Sequence, residues 1–159
     1  MPMDLDHHHW MAEALALAAE AAARGEVPVG AIVVHHGQGE IPRIIGRGYN
    51  QREQECDPSA HAEIVAMREA GKTLGSWRLD NCTLYVTLEP CPMCAGAMIQ
   101  ARLPRLVYGC TDPKAGCVST LYQLCTDPRF NHRVEVLGGI LAEESASLLR
   151  NFFAERRAR

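Results

Sequence analysis

The run Thr83-Leu84-Tyr85-Val86-Thr87 passes through Glu89-Pro90 directly into Cys91-Pro92-Met93-Cys94 and a stretch of helical composition that ends at Ala101. β-branched and aromatic residues read as a strand, and Pro at a first helical position reads as the start of a helix. Both cysteines therefore sit where a strand hands over to a helix. A strand followed by a helix returns through a right-handed crossover and pairs in parallel with the next strand, whose apolar core is Leu106 to Tyr108. This single junction commits the chain to a sheet with parallel pairing and a helix-covered face.

The remaining elements fit around it. Met11, Ala14, Leu15, Ala18 and Ala22 recur at helical spacing between His9 and Arg24, with Gly25 as a stop. Val29 to His35 and Arg43 to Tyr49 are extended segments joined by Gly37-Gln38-Gly39 turn chemistry, a hairpin that must pair antiparallel. Asp57-Pro58-Ser59 reads as a helix start leading into Ala60 to Ala70, with Asp57 or Ser59 as cap. After the strand at Leu106 come a short helix around Ser119 to Leu124, a short strand at Val134 to Leu137, and a closing helix from Leu141. That last helix is expected to carry Leu148, Leu149, Phe152 and Phe153 on one face. The expected fold is α/β: a three-layer α/β/α sandwich around a mixed, about five-stranded sheet, formed by one domain over residues 1–159.

A length of 159 residues supports one hydrophobic core, and 47% hydrophobic with 22% charged residues gives no support for disorder or bilayer spans. Met1 to Met11 carries acids and histidines where an export signal needs a basic start and an apolar run, so a cytoplasmic location is expected. Seven cysteines, an odd number in a chain of this length without such a signal, point to free thiols or metal ligands rather than a disulfide framework. A net charge of −3 provides no overall attraction to nucleic acid, so RNA binding would need a local patch. Arg150, Arg156, Arg157 and Arg159 near the C-terminus form a modest one.

Cys91 and Cys94 in a first helical turn can point the same way, and the positive helix end favours their thiolates. His61 comes from a second helix start. Three ligands are what catalytic zinc usually takes, leaving its fourth position to water. Glu63 is placed to move protons for that water. Residues two apart on a regular helix diverge by roughly 200°, so His61 and Glu63 can converge only at a point beyond the helix end. The rival for Cys-x-x-Cys is a redox dithiol or half of a structural zinc knuckle. A redox motif requires neither His61 nor Glu63, and Cys56, Cys82, Cys110, Cys117 and Cys125 supply no second Cys-x-x-Cys to close a four-thiol site, so these five read as core or surface thiols.

His61-Ala62-Glu63 followed by Pro90-Cys91-Pro92-Met93-Cys94 resembles the signature of zinc-dependent nucleobase deaminases. Along nearly its whole length the chain resembles the bacterial tRNA-specific adenosine deaminases, within the cytidine deaminase-like superfamily. The resemblance is carried by His9 to Met11, Val27-Pro28-Val29-Gly30-Ala31, Asn50, Asp57 to Glu63, Leu84 to Met98, Asp112 to Gly116, Asn131 to Val134, and Gly139 through Phe153. It implies a cytoplasmic homodimer with one zinc per chain, acting on a tRNA anticodon stem-loop to convert wobble adenosine to inosine. It further implies that Asn50 hydrogen-bonds the flipped nucleotide, that the Ala62 N–H reads the base edge, and that Val27 and Pro28 form pocket wall. Asp112 and Lys114 would lie near flanking nucleotides, and Phe153, Arg156 and Arg157 on an RNA-contacting tail. A deaminase of free guanine, cytosine or nucleosides on the same scaffold is the alternative. The chain departs from the family pattern in extra hairpin residues at Gly37 to Pro42, and in Cys117-Val118 and Asp127 near the expected RNA-facing loop.

Overall fold

The computed structural model describes residues 6–158; Met1 to Leu5 and Arg159, the last of the C-terminal arginines, lie outside them. Asp6 caps the first helix, α1 (His7–Ala23), by accepting the His9 N–H, so the helix begins ahead of the expected His9. The hairpin follows as β1 (Gly30–His35) and β2 (Arg43–Tyr49). Next come a short helix α2 (Arg52–Glu55), helix α3 (Ala62–Leu74), strand β3 (Cys82–Leu88), helix α4 (Pro92–Gln100) and strand β4 (Arg105–Cys110). A 3-10 turn at Leu124–Thr126, strand β5 (Glu135–Leu137) and helix α5 (Ala142–Arg157) complete the chain.

The sheet is mixed and five-stranded, in the order β2-β1-β3-β4-β5. β1 pairs antiparallel with both β2 and β3, whereas β3–β4 and β4–β5 are parallel. The crossover from β3 through α4 to β4 is the one required by the strand-to-helix junction. Because helices cover both faces, the inner strands are apolar on both sides and their residues alternate between two cores. Ala31, Val33, Leu84, Val86, Leu106 and Tyr108 face the core shared with α3 and α4, while Ile32, Val34, Tyr85 and Val107 face α1. Each large side chain so buried contributes roughly 1.5–3 kcal/mol by leaving water. β2 lies hard against α3: a Cβ on Gly48 would meet the Ala62 carbonyl oxygen at 2.4 Å, so glycine sets that closeness. No described helix is long and apolar enough to cross a membrane.

Three local expectations are corrected. α3 starts at Ala62 with His61 as its N-cap, not at Asp57–Ser59, because the Asp57 carboxylate is used by the Ser59 N–H (2.8 Å) and hydroxyl (2.7 Å) to close a separate turn. The helix expected at Ser119–Leu124 does not form, since the Ser119 and Thr120 N–H groups bond to the Glu89 side chain instead. On α5, Phe152 is buried while Phe153 is 43% exposed, so the two phenylalanines occupy different faces, as adjacent helical positions must.

Candidate metal centre and active-site cleft

The N-termini of α3 and α4 bring His61 and Cys91 to their N-cap positions, both with extended backbone. Side chains at such positions lean beyond the helix end, which removes the angular conflict between His61 and Glu63. The His61 Nδ1 lies 3.6 Å from Cys91 Sγ and 3.5 Å from Cys94 Sγ. All three candidate ligand atoms fall within 4.8 Å of one another, and this is a group able to hold a metal ion. A redox dithiol leaves the imidazole beside the sulfurs without a purpose, and a structural zinc site would need a fourth protein ligand, which this group does not include.

The electrostatics are those of a cation site. Hydrogen bonding from Cys94, seconded by His61, holds the Cys91 thiol down to about 4, against the opposing effect of burial. The neighbouring Cys91 sulfur and burial push the Cys94 thiol far above the usual thiol range. The hydrogen bond to Cys91 raises His61, with burial opposing. Glu63 is 4% exposed, and burial pushes its carboxyl up to about 7. A carboxyl tuned near neutrality beside a metal-binding group can both accept and return a proton.

These residues form one end of a cleft of about 480 Å³. The cleft is also lined by Val27, Val29 and Asn50, by the loop Thr111 to Ala115, and by Leu149 and Phe153 of α5. Pro28, expected in the wall, is buried behind it, and Val29 takes that place. Asn50 is 7% exposed, and its Oδ1 accepts the Ala62 N–H at 2.9 Å. The Ala62 N–H expected to read a base edge is thus an orphan helix donor satisfied from β2. Asp112 lines the cleft with its Oδ1 accepting the Lys114 and Ala115 N–H groups. Arg156 sits away from the cleft lining, 4.6 Å over the Phe152 ring and donating to the Gly25 carbonyl, where it ties α5 to the end of α1. Arg157 is exposed on the same last turn.

Two residues of the cleft escape a reading of local pattern. Glu89 is 2% exposed, and its carboxylate accepts the N–H groups of Asp112, Val118, Ser119 and Thr120 and the Thr120 hydroxyl. Burial raises its pKa, but these donors outweigh burial and hold it below the ordinary carboxylate range. It anchors the loop that walls the cleft, and Gly116 permits the approach: a Cβ there would meet the Glu89 carboxylate at 2.4 Å. An acid immediately before Pro90-Cys91 was the only signal available. The second is Arg52, on α2 at the cleft. The departures at Cys117 and Val118 are buried, with their N–H groups bonded to Pro90 and Glu89, and Asp127 is neutralised by Arg129 at 2.7 Å.

A family model for MafB19-like deaminases matches residues 5–157. The tRNA-specific adenosine deaminase of Bacillus subtilis (strain 168) is 49% identical over 93% of this chain and 89% of its own length. A solved structure from a study of A-to-I editing by tRNA deaminases at the wobble position superposes with a TM-score of 0.82 at 43% identity, covering 89% of this chain and 99% of that one. A guanine deaminase from Bacillus subtilis superposes less fully, with a TM-score of 0.62 at 40% identity over 67% of this chain and 66% of its own. A match that spans the sheet, both cysteine-bearing and histidine-bearing helix starts and the C-terminal helix places the chain in the deaminase family of the bacterial tRNA-specific adenosine deaminases.

Proposed function

We propose that this chain is a zinc-dependent hydrolytic deaminase that converts adenosine to inosine at the wobble position of a tRNA anticodon. The observation that carries the proposal is the grouping of His61, Cys91 and Cys94 around one point, with buried Glu63 beside it, at the end of a cleft walled by α5. The donor set fits zinc. Tetrahedral zinc with Zn–S of about 2.3 Å and Zn–N of about 2.0–2.1 Å separates sulfur from nitrogen by about 3.6 Å, and the two separations here are 3.5 and 3.6 Å. Three protein donors leave one position open, the pattern of catalytic rather than structural sites.

A zinc ion held there supplies the Lewis acidity that makes water nucleophilic at neutral pH. Glu63 would take one proton from the attacking water and pass it to the purine ring nitrogen, then take the proton of the newly added hydroxyl and deliver it to the departing amine, so that adenosine and water become inosine and ammonia. Asn50, fixed by its bond to Ala62, keeps its amide N–H donors for the nucleotide. Val27 and Val29 flank the base, and Phe153 offers an exposed ring for stacking a neighbouring one. Asp112 and Lys114 in the cleft lining, with exposed Arg157 at the end of α5, would contact the anticodon loop.

A homodimer is supported by an apolar groove between α3 and α4, lined by Ile64, Met67, Ala97 and Ala101, with Trp77 65% exposed at its edge. A cytoplasmic location follows from the substrate. Purified protein should contain about one zinc per chain, sediment as a dimer, and deaminate an anticodon stem-loop carrying wobble adenosine. Turnover of free guanine or cytosine without any RNA activity would favour the smaller-substrate alternative, whose support is the guanine deaminase likeness.

A further inference from the structure

Most arginines of known placement on this protein are engaged. Arg24, Arg78, Arg105, Arg129 and Arg150 pair with carboxylates, and Arg102, Arg133 and Arg156 donate to backbone carbonyls. Arg52 differs. It is exposed and lines the active-site cleft, and its guanidinium has neither a hydrogen bond nor an ion pair to any described residue, including Glu53 and Glu55 on its own turn. With Lys114 it provides the two fixed positive charges of the cleft lining, while the Glu89 carboxylate accepts four N–H groups and a hydroxyl and Asp112 Oδ1 accepts the Lys114 and Ala115 N–H groups.

The backbone that carries Arg52 is held unusually firmly for a short surface turn. Glu26 is 2% exposed, and its two carboxylate oxygens accept the Glu53 N–H at 3.2 Å and the Gln54 N–H at 2.7 Å. The Arg52 carbonyl accepts the Cys56 and Asp57 N–H groups, and the preceding Gln51 N–H bonds to Ala60. A four-residue helix has little stability of its own, so this turn exists because a buried acid holds it. Its effect is to fix Arg52 two residues from Asn50 at the cleft. A base whose reacting carbon reaches Glu63 leaves its ribose and phosphates toward the outer part of the cleft. A guanidinium matches a phosphate through two parallel N–H donors, and a free base or nucleoside carries no such group.

We propose that Arg52, on the turn held by Glu26, binds a backbone phosphate next to the nucleotide being deaminated and so selects a nucleotide within a strand over a free base or nucleoside. The inference rests on the proposed RNA substrate and assigns a specificity residue to it. Because Arg52 is exposed, Arg52→Gln should fold normally, with an unchanged melting temperature and zinc content.

The experiment is steady-state kinetics of zinc-loaded wild type, Arg52→Gln and Arg52→Lys on an anticodon stem-loop with wobble adenosine, across a range of salt concentrations. Arg52→Gln should raise KM about tenfold at moderate salt, change kcat less than about twofold, and lower the slope of log KM against log salt by about 0.7, the share of one single-strand phosphate. Arg52→Lys should restore the salt slope and only part of KM, since lysine supplies charge without the fork. An Arg52→Gln enzyme with wild-type KM and salt slope would overturn the assignment, as would a fall in kcat at unchanged KM. Absence of any wild-type turnover on the stem-loop would instead overturn the substrate itself, and is seen before any variant is compared.

Discussion

Glu63 and Glu89 are both almost completely removed from solvent, at 4% and 2% exposure, yet their surroundings push them in opposite directions. Burial dominates at Glu63 and lifts its carboxyl to about 7, a value suited to exchanging protons. At Glu89 four N–H groups and a hydroxyl converge on the charge, so that despite burial it titrates lower than a free carboxylate. One acid is left poorly solvated and reactive; the other is saturated and inert. Burial alone therefore does not mark a functional carboxylate. What distinguishes the two is whether donors have been brought to the charge, and that depends on which loop is folded around it.

The contrast can be broken most directly at Glu63. Glu63→Gln removes the proton carrier and keeps the shape, and should lower kcat by about 10³-fold, within the usual range for general acid–base catalysis. Zinc content should stay at the wild-type level and stability should be unchanged or slightly higher, because a buried, weakly satisfied acid is replaced by a neutral amide. Metal analysis beside a turnover assay checks both parts; loss of the metal would make Glu63 a ligand instead.

Glu89→Gln should show the reverse balance. An amide NH₂ must now face N–H donors that a carboxylate accepted, at a cost of about 2–4 kcal/mol in unfolding free energy, read from urea denaturation. Amide exchange should speed up selectively at Val118, Ser119 and Thr120. The difference between wild type and Glu89→Gln should also depend on pH in a defined sense. A carboxyl whose folded pKa is lowered stabilises fully above the unfolded pKa, and that stabilisation is lost as pH falls through the folded value. The two proteins should therefore converge in stability on acidification, and a constant gap would refute the assignment of the donors to the ionised form.

Gly116→Ala tests the same loop from its other side with a smaller effect. The added methyl meets the Glu89 carboxylate at 2.4 Å and the Asp112 carbonyl at 2.6 Å, so the loop has to shift. A loss of about 1–3 kcal/mol, the usual effect of overpacking, should be accompanied by a raised KM and little change in kcat, since Asp112 to Ala115 line the cleft. Thermal unfolding with parallel kinetics measures both.

Much of this architecture was legible in the residues. Alternation along Ile32 to Val34 and Leu84 to Val86 assigns strand positions to two cores, because side chains on a strand leave it on alternate sides. Pro92 after Cys91 announces the helix start, and spacing together with resemblance singles out His61, Cys91 and Cys94, whose candidate ligand atoms lie within 4.8 Å of one another. Less legible were the short helix α2 and the segment between β4 and β5, where the chain's own propensities are weak. Four residues, Arg52–Glu55, cannot form a helix unaided, and the helix expected at Ser119 gave way to long-range bonds.

The sequence by itself thus determined the strand and helix order, the crossover at β3–α4–β4, and the chemistry available at two helix starts, all of which follow from short-range periodicity and residue type. Only the tertiary structure decided which donors meet which acceptors. Asn50 caps α3 in place of Asp57, Glu26 holds the turn beneath Arg52, Phe152 rather than Phe153 enters the core, and Glu89 gathers a loop more than twenty residues further along the chain. A buried polar group must be satisfied by whatever the fold brings within about 3 Å, and that neighbour is set by packing rather than by position along the chain.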